Sequence, residues 1–245
     1  MGRRELKRRM ERLTRKAEAR AREMLRQGPR EQRASLDAQV QQATRNTFTW
    51  VTEHTETRND HWVEEGRPSP YEPFPKLPYI AYIFEIMEAE RIVWIEKSRD
   101  MMLSWCCVAY LTLNVMKVAQ RTALFQTQTE KKAIQLVDYA KCLYRRQSTE
   151  LQAAFPLRKS IDDQPALELH FANGSSIVGI PGGANQIRSY HPYAYLNDES
   201  SFQPDAGACY NEALSAVKGK IIFNSSSGPG WFADARRDIV RSEEE

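Results

Sequence analysis

Four cysteines and four histidines among 245 residues leave little material for a soft-metal site. Cys106, Cys107, Cys142 and Cys209 have no metal-ligand spacing, so a zinc ribbon or finger is excluded as the organising feature. Two of them are adjacent within a helical pattern, where they read as small apolar packing residues. Long apolar runs are also missing: none approaches the roughly 18 residues that a membrane span needs. No signal-peptide outline is present, so the chain reads as soluble and intracellular with reduced thiols. No internal repeat is visible.

What is present is a globular composition. Hydrophobic residues make up 41%, enough for a real core, and the length suits one large domain plus an appendage. Net charge is +3, unevenly spread: residues 1–34 carry 13 Lys/Arg against 5 Glu, or +8, which leaves the rest at −5. Leu6, Met10, Leu13, Ala17 and Met24 predict a helix over Met1–Gln27, closed by Gly28-Pro29, and Leu36, Val40 and Ala43 predict a second. A solvated helix, a coiled-coil partner and an arm that meets nucleic acid all fit this basic segment. The expected division is a basic helical arm over 1–45 and a catalytic domain over 46–245.

The middle of the chain alternates. Asn46–Pro78 reads as an irregular, proline-rich approach with aromatic anchors. Leu77–Glu90 reads as a helix with Ile80, Ile83, Phe84 and Met87 on one face, and Tyr79 or Tyr82 is placed to stack on a base or to enter the core. Strands follow at 91–95, 122–126, 167–171, 175–180, 193–196 and 220–224. Asn173-Gly174 marks a hairpin between the third and fourth. Thr129 is the expected cap of a helix reaching Arg146, and Pro204 opens another to about Val217. Pro181-Gly-Gly183 starts a mobile polar loop up to Arg188. Strands alternating with helices predict an α/β sheet covered on both faces.

Three stretches carry chemistry. The strand at 91–95 runs into Lys97-Ser98-Arg99-Asp100-Met101-Met102-Leu103-Ser104, a cationic turn closed by a hydroxyl where a helix starts. Backbone N–H groups and the helix dipole favour phosphate there, and a first-turn hydroxyl can ligate Mg²⁺. Against G-x-x-x-x-G-K-[ST] only Ser104 matches; Lys97 and Met102 stand at the glycines and Leu103 at the lysine. Asp198-Glu199 follow an apolar strand, at the sheet edge where α/β proteins bind ligands. Ser104 and Asp198 would hold the metal, and Glu199 would activate water. Asn224, Ser225 and Ser226 end a further strand, with hydroxyl and amide groups able to sense a γ-phosphate before Gly228-Pro229-Gly230.

In this order the motifs resemble the ATPase domain of the large terminase subunit of tailed bacteriophages, the viral DNA-packaging motor. Terminase phosphate loops often keep an Arg in the turn and can carry Lys at its first position, as Lys97-Ser98-Arg99 do here. Asp198-Glu199-Ser200-Ser201-Phe202 is similar to the family's acidic strand end. Asn224-Ser225-Ser226 with Gly228-Pro229-Gly230-Trp231-Phe232 is similar to its coupling motif. The likeness covers roughly residues 46–240.

The resemblance implies an ASCE-type P-loop NTPase fold, with a Walker A turn over 97–104 and a Walker B strand end at 198–199. ATP and Mg²⁺ are the implied cofactors. Double-stranded DNA is the implied substrate of translocation, with a portal protein and a small terminase subunit as partners. A homo-oligomeric ring, in which Arg188 acts in trans as an arginine finger, would work in the host cytoplasm while docked on a procapsid. Two departures stand out. Leu103 replaces the usual lysine, so Lys97 or Arg99 has to supply the phosphate cation. Asn197 places a polar residue before the acids, where it either bonds locally or shifts their register. The family's C-terminal nuclease domain has no room in this length, so an isolated ATPase half without nuclease activity is expected. A helicase-like ATPase, or a nucleic-acid-binding assembly module with a decayed nucleotide site, are the alternatives.

Overall fold

The computed structural model describes residues 30–244 together with Lys16, Ala19 and Glu23. The helix expected over Met1–Gln27 lies outside these, apart from the three isolated positions, which are helical and exposed. In chain order the described elements begin with α1 (Arg30–Ala43), α2 (Thr47–His54), β1 (Glu56–Arg58), β2 (Tyr71–Pro73), α3 (Pro78–Ala89), β3 (Ile92–Lys97) and α4 (Leu103–Lys117). They continue through β4 (Thr122–Gln126), α5 (Glu130–Arg146), α6 (Thr149–Ala154), β5 (Glu168–His170), β6 (Ser176–Ile180) and α7 (Asn185–Arg188). The last are β7 (Ala194–Asp198), α8 (Ala206–Ala216), β8 (Ile221–Ser226) and α9 (Trp231–Glu244).

Two compact units emerge. Among the described residues, one holds those up to Pro75 with Cys142–Leu157, and the other holds Lys76–Lys141 with the residues from Arg158 onward. In the first unit, the segment expected to be irregular contains helix α2 and an antiparallel β1–β2 pair. The helix was hidden by its β-branched residues. Asn46 caps it by accepting from the Thr49 N–H at 2.8 Å, and Thr52 and Thr55 turn their hydroxyls back onto the Phe48 and Val51 carbonyls. Trp50, fully buried, donates its indole N–H to Gln147 at 3.1 Å.

The second unit is a six-stranded sheet in the order β3-β8-β7-β4-β6-β5. Neighbours from β3 to β6 are parallel, and β5 is the antiparallel edge. The mixed α/β architecture, a mostly parallel sheet flanked by helices, is thus the expected one. The hairpin turn spans Phe171–Ser175, with Gly174 in the left-handed region at φ 84°.

Helix α4 is buried along most of its length because it lies against the sheet, and burial pushes the Cys106 thiol up to about 12. Beside it, α5 packs on Gly179, where a Cβ would meet Val137 at 2.9 Å. Thr129 caps α5 as expected, accepting from the Lys132 N–H at 3.4 Å. On the opposite face α8 and α9 cover Leu124, Tyr195, Ile221 and Phe223. Helix α8 starts at Ala206 rather than Pro204, because Ser200–Phe202 first form a 3₁₀ turn. The loop expected over 181–188 ends in α7, whose Ile187 is fully buried. Among the described residues no helix is long and apolar enough to cross a membrane.

Candidate nucleotide site

Because β3, β8 and β7 run parallel and adjacent, their carboxyl ends bring three distant stretches to one edge. The first is the turn after β3. It contains no glycine, yet Asp100 and Met102 adopt left-handed conformations at φ 62° and 54°. Met102, at the position of the pattern's second glycine, takes the conformation that glycine would supply. The Met101 carbonyl accepts from the Tyr79 hydroxyl at 3.2 Å, whereas Tyr82 is exposed. Helix α4 then starts at Leu103, one residue earlier than the hydroxyl that was expected to open it. Leu103 is buried at 3% exposure, so its side chain belongs to the core.

The second stretch is the end of β7. The Ser104 hydroxyl lies 3.0 Å from each oxygen of the Asp198 carboxylate, across 94 residues of sequence. Asp198 is buried, and that burial raises its pKa above the ordinary value; the neighbouring Glu199 charge adds to the rise. Hydrogen bonds from Asn224 and Ser104 and the charge of Lys97 oppose it. Glu199 leaves the strand in a left-handed conformation, φ 58°, which turns its side chain to the mouth of the site. There Lys97 Nζ approaches Glu199 Oε1 at 3.4 Å. Asn197 does not disturb the register of the acids; it bonds locally on the other face of the sheet.

The third stretch is the end of β8. Asn224 donates to Asp198 Oδ1 at 2.5 Å and to Ser104 Oγ at 3.3 Å. Ser226 Oγ lies 3.5 Å from Lys97 Nζ. Ser225, fully buried, accepts from the Ser201 N–H at 3.0 Å and so ties this strand end to the turn after the acids. An open cavity of about 480 Å³ sits above, lined by Glu96, Lys97, Ser98, Arg99, Ser226 and Ser227.

The structure therefore joins Lys97, Ser104, Asp198, Glu199, Asn224 and Ser226 through direct contacts, with Ser98 and Arg99 on the cavity wall. Asp100 and Met101 shape the turn. Arg188 stands apart from these contacts, pairing with Glu212 of α8 at 2.6 Å with most of its side chain exposed. Three participants carried no usable signal. Glu96 accepts from Ser227 at 2.8 Å and pairs with Arg236 on the rim of the cavity. Gln203 donates to the Asp198 carbonyl at 2.7 Å, and Gln126 lies behind it. Single polar residues at strand ends have no periodic pattern to mark them.

A divalent cation of Mg²⁺ type fits the donor set. Ser104 and Asp198 offer only oxygen, and such an ion is held by one or two carboxylates, waters and substrate phosphates rather than by a protein cage. Among the described residues no group of three or more His, Cys, Asp or Glu is placed to hold a metal.

No protein-family model and no curated protein matches the chain. Among solved structures, the HK97 bacteriophage large terminase superposes with a TM-score of 0.59 at 10% identity, over 82% of this chain and 42% of that one. Two structures of the Thermus phage P74-26 large terminase ATPase domain, one a mutant, give TM-scores of 0.45 and 0.44 at 13% identity. They cover 73% of this chain, and 74% and 73% of their own. The chain spans under half the length of the HK97 protein, and over the matched part the two share a fold.

Proposed function

We propose that this chain is the ATPase motor of a terminase-type machine that hydrolyses ATP with Mg²⁺ to drive double-stranded DNA into a viral procapsid. The observation that carries this reading is the meeting of Ser104 and Asp198 at 3.0 Å at the foot of a cationic turn. In the proposal, the turn from Lys97 to Ser104 holds the phosphates through backbone N–H groups and through Lys97 and Arg99. Lys97 supplies the charge that Leu103 does not, since it already reaches the carboxyl edge of β7 and β8. Ser104 and Asp198 would hold the metal, which when bound neutralises phosphate charge.

Glu199 orients and deprotonates the attacking water. Its carboxylate faces Lys97. Triphosphate oxygens compete for that ammonium, which leaves Glu199 free to accept a proton. Asn224, touching both Asp198 and Ser104, and Ser226, touching Lys97, couple the state of the phosphates to the 227–230 loop. Arg188 acts in trans on a neighbouring subunit of a ring, in the host cytoplasm, with portal, small subunit and DNA as partners.

Glu199→Gln removes the base while keeping the shape. Turnover should fall by at least about 10²-fold, the lower end of general-base effects, while ATP affinity measured by titration with Mg²⁺ stays within a few-fold. Unchanged turnover removes Glu199 from this role. Absence of saturable nucleotide binding in the unmodified protein favours an assembly module with a decayed site.

A further inference from the structure

Behind the acids, on the sheet face turned away from Ser104, lies a second polar layer. Successive side chains of a strand point to opposite faces. Asp198 therefore meets α4, while Tyr195 and Asn197 point to the side covered by α8. Tyr195, Asn197 and Gln126 are all fully buried.

Their hydrogen bonds form one chain. Asn197 Nδ2 donates to the Tyr195 hydroxyl at 2.7 Å and to Gln126 Oε1 at 3.3 Å. Asn197 Oδ1 accepts from Ser200 Oγ at 2.7 Å and from Gln203 Nε2 at 2.8 Å. The same Gln203 nitrogen donates to the Asp198 carbonyl at 2.7 Å. At the other end, the Tyr195 hydroxyl donates to Gln126 Oε1. Gln126 Nε2 in turn donates to the carbonyls of Pro181 at 2.9 Å and Gly183 at 3.0 Å. One end of the chain therefore grips the turn that sets Glu199 in its left-handed conformation. The other grips the segment that leads into α7 and Arg188.

We propose that Asn197 and Gln126 are positioning residues, a buried amide pair that fixes the Glu199 turn and the Pro181–Gly183 segment as one unit. This rests on the ATPase reading given above. The physical reason is the cost of partial opening. A buried donor or acceptor stripped of its partner loses its full desolvation energy. Moving either end alone would strand amide groups at the other, so the hydrolytic carboxylate and the arginine-bearing segment of one subunit hold their places together.

Two measurements on the whole chain test this. Gln126→Met keeps the length of the side chain and removes every hydrogen bond. Without nucleotide, amide hydrogen exchange should accelerate by about tenfold or more both in 183–188 and in 199–203, since local openings report the contacts that restrain them. Acceleration confined to 183–188 overturns the proposal. If Gln126→Met fails to fold, Gln203→Met reads the same coupling from the more accessible end, and there 183–188 has to respond.

The second measurement is a cycle on turnover. Each single variant should lower kcat by about tenfold with KM nearly unchanged, and the Gln126→Met/Gln203→Met pair should fall no further than the worse single, as coupled sites do. Multiplicative losses overturn the proposal. Coupled exchange in a protein that neither binds nor hydrolyses ATP overturns the ATPase reading, and the positioning role with it. Uncoupled exchange in an active protein overturns the positioning role alone.

Discussion

Asp198 concentrates the tension of the site in one side chain. It is a carboxylate taken out of water, and the partners that satisfy it, Ser104 and Asn224, are neutral. Burial raises its pKa above the ordinary 3.8, so the folded chain holds the proton more tightly than the unfolded chain does. The sign follows: this group's contribution to stability is complete below about pH 3.8 and is lost as pH rises through the raised folded value. As pH rises through that value the folded chain takes on the cost of a buried charge. Asp198→Asn lacks that charge. Its melting temperature should exceed that of the unmodified protein at about pH 8, and the difference should vanish near about pH 3.5. With Mg²⁺ and nucleotide the order should reverse, since only the carboxylate gains from the ion. A variant that melts below the unmodified protein at the higher pH would refute this account of the site.

At the scale of the element, the turn between β3 and α4 shows which parts of the design a sequence displays. Apolar strands, the Asn173-Gly174 hairpin and the Thr129 cap were all legible, because each depends on neighbours a few residues apart. The meeting of Ser104 and Asp198 was legible only through chemistry, since the proposed triphosphate site needs those residue types together. The conformation of the turn was not legible. Glycine is the usual mark of a left-handed residue, and here Asp100 and Met102 take that role instead. Nor could the sequence assign Leu103. In the pattern it occupies the place of the phosphate lysine, yet in the fold it is the first core residue of α4. Restoring lysine there should not restore a conventional loop. Leu103→Lys places a charge in the core without a partner, and its cost should be about 3 kcal/mol or more, read from denaturant unfolding. Lys97→Ala, beside the open cavity, should cost less stability than Leu103→Lys and weaken ATP binding. A Leu103→Lys protein with full stability and tighter nucleotide binding would show that this helix start can turn outward.

For the whole molecule, the decisive quantity is the distribution of cations. The described site offers Lys97 and Arg99 on the turn, and Lys97 already faces Glu199. The other cation proposed for the reaction, Arg188, sits at the end of α7 and is held by Glu212. That hydrogen bond raises the pKa of the guanidinium and lowers that of Glu212. With the Arg188 side chain largely in solvent, the pair is weak, so a stronger anion draws the guanidinium away at little cost. If the triphosphate of a neighbouring copy is that anion, isolated chains hydrolyse slowly, and turnover per chain climbs with protein concentration. Arg188→Ala should then lower turnover of the assembled protein by about 10³-fold or more, the scale of arginine fingers, while ATP affinity is kept. The sharper reading comes from mixing. Arg188→Ala subunits keep Glu199, and Glu199→Gln subunits keep Arg188, so an interface between them contains one complete set. Mixed, two nearly inactive preparations should regain measurable hydrolysis, whereas a finger that acted within its own chain would leave the mixture as inactive as its parts.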